Sequence, residues 1–144
     1  MGATSPAPDA ARRALVFLGL AGLCAAYVQG PVAKLLDFEG ARAEMAHFGL
    51  APETLFAAGV IVFELVASGL VLSGRFRRPA AAALGLFTLA ATALALRWWE
   101  LPPGPERAMA ANAFFEHLGL AGAWLLVALG AAEALLRGPA PPGR

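Results

Sequence analysis

The chain has 144 residues, of which 59% are hydrophobic and 15% are charged, and its formal net charge is +1. It is more apolar than a typical soluble domain, so the composition predicts a membrane protein. No basic stripe is interleaved with aromatic residues, which argues against nucleic-acid binding. The single cysteine, Cys24, excludes an internal disulfide and a Cys-x-x-Cys redox pair.

Apolar windows of membrane-spanning length predict the main elements. They cover residues 14–36, 54–73, 79–96 and 112–136, each near the length that crosses a hydrocarbon core of roughly 30 Å. Lipid satisfies no backbone polar group and the windows lack the alternation of barrel strands, so we expect helices. The expected fold is all-α, a transmembrane antiparallel four-helix bundle over residues 12–136. The Pro- and Gly-rich ends, 1–11 and 137–144, predict disordered tails.

Small residues predict where these helices approach one another. Three pairs have the small-xxx-small spacing that allows close backbone contact in lipid: Gly22 with Ala26, Ala81 with Gly85, and Gly119 with Ala123.

Basic residues predict the orientation of the bundle. If both termini lie in the cytoplasm, that side carries Arg12, Arg13, Arg75, Arg77, Arg78, Arg137 and Arg144. The other side then carries Lys34, Arg42, Arg97 and Arg107. This imbalance favours cytoplasmic termini.

A short amphipathic helix is expected between the first two spans. Its apolar residues Phe38, Ala41, Met45 and Phe48 recur at spacings of three and four, after Asp37 as a plausible N-cap. Such a helix would lie in the outer interface, either covering the bundle as a lid or serving as a solvated connector. Trp98 and Trp99, directly after the third span, are expected to anchor it at the interface.

Polar residues within or at the ends of the spans are candidates for function, because ionisable groups are costly in lipid. Glu64 lies about ten residues into the second span, about 15 Å deep. The Gly30-Pro31 pair predicts a bend that turns the face of Lys34 into the bundle. The candidate pocket in the outer half of the bundle therefore comprises Tyr27, Gln29, Lys34, Glu64, Arg97, Glu116 and His117.

Two interpretations of these residues remain open. In the first, a partly hydrated pocket holds a ligand, and Lys34 or Arg97 offsets the charge of Glu64. In the second, the same groups form a structural polar network that fixes helix register. A metal or haem site is not expected, because His47 and His117 lack the spacing of a ligand set.

The order of several motifs resembles that of the DoxX family of small bacterial membrane proteins, which includes DoxD-type quinol-oxidase subunits. The similarity includes GPVAKLLDF at residues 30–38, GLAP at 49–52, the acidic helix motif that starts at Glu64, the loop with Arg78, and Phe114-Phe115 before Gly119. The resemblance covers about residues 12–136. It implies a four-helix protein of the bacterial inner membrane, in a family linked to quinol oxidation with thiosulfate and to oxidative-stress complexes.

Two functions follow from the resemblance and the polar residues together. The first is an accessory subunit that binds a quinone-like or other amphipathic molecule and serves a membrane redox or stress-response partner. Glu64 and His117 would then exchange protons, Lys34 and Arg97 would act as an electrostatic clamp, and Tyr27 would donate a hydrogen bond to a ring oxygen. The second is a non-catalytic scaffold or assembly protein. The sequence leaves catalysis, the protein partner and homo-oligomerisation open.

Overall fold

Residues 6–137 are described by the structure, a computed structural model, and they fold almost entirely into helices. The helices are α1 (Pro6–Leu36), α2 (Phe38–His47), α3 (Glu53–Ser73), α4 (Arg77–Ala95), α5 (Pro105–Ala128) and α6 (Ala131–Arg137), with a 3₁₀ turn at Trp98–Glu100. Four of them, α1, α3, α4 and α5, are long and apolar enough to cross a membrane. The all-α transmembrane bundle predicted from the sequence is confirmed.

The helix bounds differ from the prediction at the two ends of the chain. Helix α1 begins at Pro6, so the predicted N-terminal tail over 1–11 is too long. The fourth span runs over Pro105–Ala128 and not over 112–136. Gly130 adopts a left-handed φ of 97°, which ends α5 and starts the separate helix α6, although the residues on both sides are apolar. Of the predicted C-terminal tail over 137–144, Arg137 ends α6 and the remaining residues lie outside the described part of the chain.

The spans run in alternating directions, with α1 packed on α3, α3 on α4, and α4 on α5. Pro105 at the first turn suits the start of α5, because its missing N–H would have no partner there. The bundle thus has a terminal end, with the start of α1 and helix α6, and an opposite end with α2 and the 3₁₀ turn. We call the latter the α2 end.

Arginines hold the terminal end together. Arg77 and Arg78 begin α4, and their Nε atoms donate to Val71 O near the end of α3 (2.9 Å) and to Ala128 O at the end of α5 (2.8 Å). The last carbonyls of a helix have no hydrogen-bond donor within it and carry partial negative charge. A guanidinium group supplies both a donor and a positive charge. Arg12 of α1 donates to Leu136 O at 3.2 Å, which ties α6 to α1.

One of the three predicted small-residue pairs mediates helix packing. A Cβ added at Gly85 would lie 3.2 Å from Trp124 Cβ, so α4 and α5 approach closely there. By contrast, a Cβ at Gly22 or Gly119 would meet nothing within 4 Å. Those two pairs were therefore wrongly predicted to mediate contacts within the bundle, because periodic small residues do not reveal which face a helix turns inward.

We expect Gly85→Leu to lower the free energy of unfolding in detergent by about 1–3 kcal/mol, because the added side chain meets Trp124 Cβ, which the α5 backbone holds in place. Gly119→Leu is the matched control, since space is open there. Equal stability of the two variants in a denaturant titration would contradict this packing.

Helix α2 forms as the amphipathic pattern predicted. The Asp37 side chain accepts a hydrogen bond from the Gly40 N–H at 2.9 Å, which caps its first turn. Ala41 and Met45 are buried against Ala57 of α3. Helix α2 therefore packs across the end of the bundle and is more than a solvated connector.

Candidate functional site

A cavity of about 450 Å³ lies beneath α2, between all four spanning helices. Most of its wall is apolar, as is usual for small-molecule sites. Its polar side chains come from every neighbouring helix: Tyr27, Lys34, Glu44, Glu64, Thr88 and His117. The candidate site is this cavity.

Glu64 is the central polar group of the cavity. It lies in the middle of α3 and is 9% exposed, so it faces the bundle and not lipid. A Cβ added at Gly30 would lie 3.9 Å from Glu64 Oε2, so the glycine leaves room on α1 for the carboxyl group. None of the ion pairs or side-chain hydrogen bonds within residues 6–137 includes Glu64.

Lys34 pairs with a residue that the sequence analysis missed. Its Nζ donates to Glu44 Oε2 of α2, and both side chains line the cavity. The expected direct pairing of Lys34 with Glu64 is not seen. Glu44 was overlooked because its place on a solvent-side position of α2 suggested an exposed residue, and only the docking of α2 brings it over Lys34. The ion pair fastens α2 to the end of α1.

Tyr27 belongs to a buried network in which its hydroxyl donates one hydrogen bond and accepts another. The Thr88 hydroxyl donates to Leu84 O at 2.7 Å, so its oxygen must accept from Tyr27 OH. Trp124 Nε1 in turn donates to Tyr27 OH at 3.0 Å. Tyr27 therefore has no proton left for a ligand, and its predicted role as donor to a ring oxygen does not fit this geometry.

Hydrogen bonding also fixes the tautomer of His117. The Thr92 hydroxyl donates to Thr88 O at 2.6 Å, so Thr92 Oγ1 must accept the hydrogen bond that it shares with His117 Nδ1 at 3.0 Å. The proton of the neutral ring thus lies on Nδ1. His117 Nε2 has no partner among the described residues and can accept a hydrogen bond within the cavity.

Three of the predicted pocket residues lie elsewhere. Arg97 is exposed and pairs with Glu100 at 3.2 Å, beside a separate polar depression. Glu116 is exposed, because it precedes His117 and adjacent residues of a helix point about 100° apart. Gln29 is exposed on the outer surface of α1. The structure thus brings together Tyr27, Lys34, Glu64 and His117, whereas Arg97, Glu116 and Gln29 were wrongly placed with them.

The hydroxyls of Thr88 and Thr92 and the indole of Trp124 were also missed as parts of the site. Threonine in an apolar helix gives little signal, because its hydroxyl can bond to the carbonyl four residues earlier, as both threonines do here. Within residues 6–137, no group of three His, Cys, Asp or Glu side chains is placed to hold a metal ion.

Comparisons with known proteins agree with the motifs and the fold. A sequence model of the DoxX family matches residues 15–97, which is more than half of the chain. The chain is also similar to the inner membrane protein YphA of Escherichia coli strain K12, with 27% identity over 120 residues that cover 83% of this chain and 85% of YphA. No solved structure matches it. With its four spanning helices, the chain is a multi-pass protein of the bacterial inner membrane and belongs to the DoxX family.

Proposed function

We propose that the cavity binds the polar head of an amphipathic small molecule, for which a quinone-like ring is the leading candidate. One observation carries the proposal: Glu64 is buried at the centre of a spanning helix, faces a cavity, and has no ion-pair partner in the described chain. A buried carboxyl group without partners is costly, so its presence favours a functional role. The protein then serves as an accessory subunit of a membrane redox or stress-response complex.

The groups around the cavity define the chemistry of the head that it would take. Glu64 can accept a hydrogen bond when ionised and donate one when protonated, His117 Nε2 accepts one when its ring is neutral, and Lys34 only donates. The carbonyl oxygens of a quinone suit the donors Lys34 and protonated Glu64, and the hydroxyls of a quinol suit the acceptors His117 Nε2 and ionised Glu64. Glu64 and His117 are the groups that could exchange protons with it.

A structural role is favoured for Tyr27 and the two side chains that are hydrogen-bonded to it. Tyr27, Thr88 and Trp124 are buried and satisfy one another, as expected of groups that fix helix register. The alternative function, a non-catalytic scaffold, assigns the same structural role to all the polar side chains of the cavity. It leaves Glu64 and His117 Nε2 without an assigned purpose, so we prefer the binding function.

The proposed orientation places both termini in the cytoplasm and the cavity in the periplasmic half of the membrane. Support comes from the arginines Arg12, Arg77 and Arg78 at the terminal end. An impermeant thiol reagent should label a cysteine introduced at exposed Ala46 of α2 in intact cells, and should not label one at exposed Arg75.

Ligand binding can be measured by the melting temperature of the detergent-solubilised protein. We expect decylubiquinone, or its reduced form, to raise this temperature in a saturable manner. His117→Ala should weaken the affinity for the reduced form about 10- to 100-fold, because a hydroxyl of the quinol would lose its acceptor. Arg97→Ala is the control and should bind normally, since Arg97 lies outside the cavity.

The binding function would be contradicted if the unmodified protein showed no saturable shift with either form of the probe. Equal loss of affinity in His117→Ala and Arg97→Ala would instead exclude the cavity as the place of binding.

A further inference from the structure

An apolar groove lies on the membrane-facing surface between α3 and α4. Its volume is about 410 Å³, and it is lined by Leu55, Phe56, Gly59, Val60, Phe63 and Phe87. Leu55 is 66% exposed and Phe56 is 40% exposed, so the groove opens outward. No charged side chain lines it.

The groove and the cavity share a wall. Phe56, Val60 and Phe87 line both of them, so these side chains separate the cavity from the groove. Phe63 and Phe87 pack with ring centroids 5.1 Å apart and close the groove toward the terminal end. A molecule that leaves the cavity by this route therefore emerges between α3 and α4, in the first half of α3.

Three other features beside the cavity suit an apolar chain less well. Helix α2 covers the end of the bundle and is fastened by the Lys34 and Glu44 ion pair. The depression beyond Phe48 is lined by His47, Arg97 and Glu100, which would leave a hydrocarbon chain among charged groups. The surface depression beside Gln29 shares none of its lining residues with the cavity.

We propose that the groove is a lateral portal: when the side chains of Phe56 and Phe87 move aside, the hydrocarbon chain of the ligand extends through it into the bilayer while the polar head lies in the cavity. This inference rests on the proposed function and specifies its ligand class: a small polar head with a long apolar chain, which enters from the membrane. Since lipid is as apolar as the groove, the portal adds little affinity. Its role is steric, because without an exit for the chain the head cannot reach Glu64 and His117.

Gly59 makes the portal testable. A Cβ added there would meet nothing within 4 Å, so leucine can be introduced without a backbone clash and would fill the groove. Gly69, on the same helix but outside the groove, is equally open and provides the matched Gly69→Leu control. Both variants should melt at or above the temperature of the unmodified protein, because leucine favours a helix more than glycine does.

Binding of two probes with the same head tests the portal: decylubiquinone, which carries a ten-carbon chain, and the same ring without the chain. We expect Gly59→Leu to weaken binding of the chain-bearing probe at least tenfold and to leave binding of the bare ring unchanged. Gly69→Leu should bind both probes as the unmodified protein does.

Three results would overturn the portal. If Gly59→Leu binds the chain-bearing probe normally, the chain leaves by another route and the proposed function stands. If Gly59→Leu weakens binding of both probes equally, the substitution disturbs binding of the head and gives no evidence of an exit for the chain. If the unmodified protein binds neither probe, the proposed function fails together with the portal.

Discussion

Replacement of Glu64 with leucine is expected to leave the protein as stable as the unmodified chain, or more stable, while ligand binding is lost. Glu64 is buried and has no ion-pair partner in the described chain, so an apolar side chain removes an unfavourable burial without leaving another charge uncompensated. The cavity would at the same time lose its central polar group. Denaturant titration and probe binding, both in mild detergent, measure the two effects.

The stability arm of this prediction separates the two candidate functions. If Glu64 belonged to a structural network, its removal would cost about 3–5 kcal/mol, as removal of one partner of a buried pair does. Tyr27→Phe is the matched control, because Tyr27 is in such a network and its loss should cost about 1–3 kcal/mol. A Glu64→Leu variant that unfolds more readily than Tyr27→Phe would favour the scaffold function.

Glu64→Gln refines the result, because glutamine keeps the size of the side chain and cannot carry the charge or exchange the proton. We expect it to retain stability and to lose most of the saturable shift given by the probe. Normal binding by Glu64→Gln would show that the ligand requires only hydrogen bonds at this position, which would exclude proton exchange through Glu64.

Trp124→Ala is expected to cause the largest loss of stability in the chain, about 3–5 kcal/mol. Trp124 of α5 is completely buried. It packs against Gly85 of α4 and donates to Tyr27 OH of α1 at 3.0 Å. Alanine would leave a large cavity and remove a donor from the buried hydroxyl. The free energy of unfolding from a denaturant titration measures the effect.

Leu125→Ala is the matched control for Trp124→Ala, because Leu125 is the next residue and 59% exposed. It should change the free energy of unfolding by much less than Trp124→Ala does. Trp124→Phe should lie between the two, since it keeps an aromatic ring and loses the indole donor. If Trp124→Ala and Leu125→Ala were equally stable, α5 would have to be rotated relative to its position in this structure.

Together these variants assign different roles to neighbouring polar groups of one bundle. The network of Tyr27, Thr88 and Trp124 lies at the terminal-end side of the cavity and holds α1, α4 and α5 together. Glu64 and His117 present unpartnered atoms to the cavity itself. Stability and binding should therefore respond to different substitutions.

The sequence by itself determined the class of the protein, the four spans, the capped helix α2 and the exceptional character of Glu64. These features are local. Hydropathy is averaged over a window of consecutive residues, and a helix cap requires one side chain beside one turn. A charge within an apolar run is costly whatever surrounds it. The end of α5 was misjudged because the apolar composition continues through the turn at Gly130, where only the backbone conformation changes.

Only the tertiary structure decided which polar residues meet. Neighbours such as Glu116 and His117 differ by about 100° in direction, so the rotation of α5 brings one into the cavity and leaves the other exposed. That rotation depends on close packing at Gly85 and Trp124, which joins residues far apart in the chain. The partner of Lys34, the tautomer of His117 and the groove beside Gly59 arise in the same way, from contacts between helices that no single helix encodes.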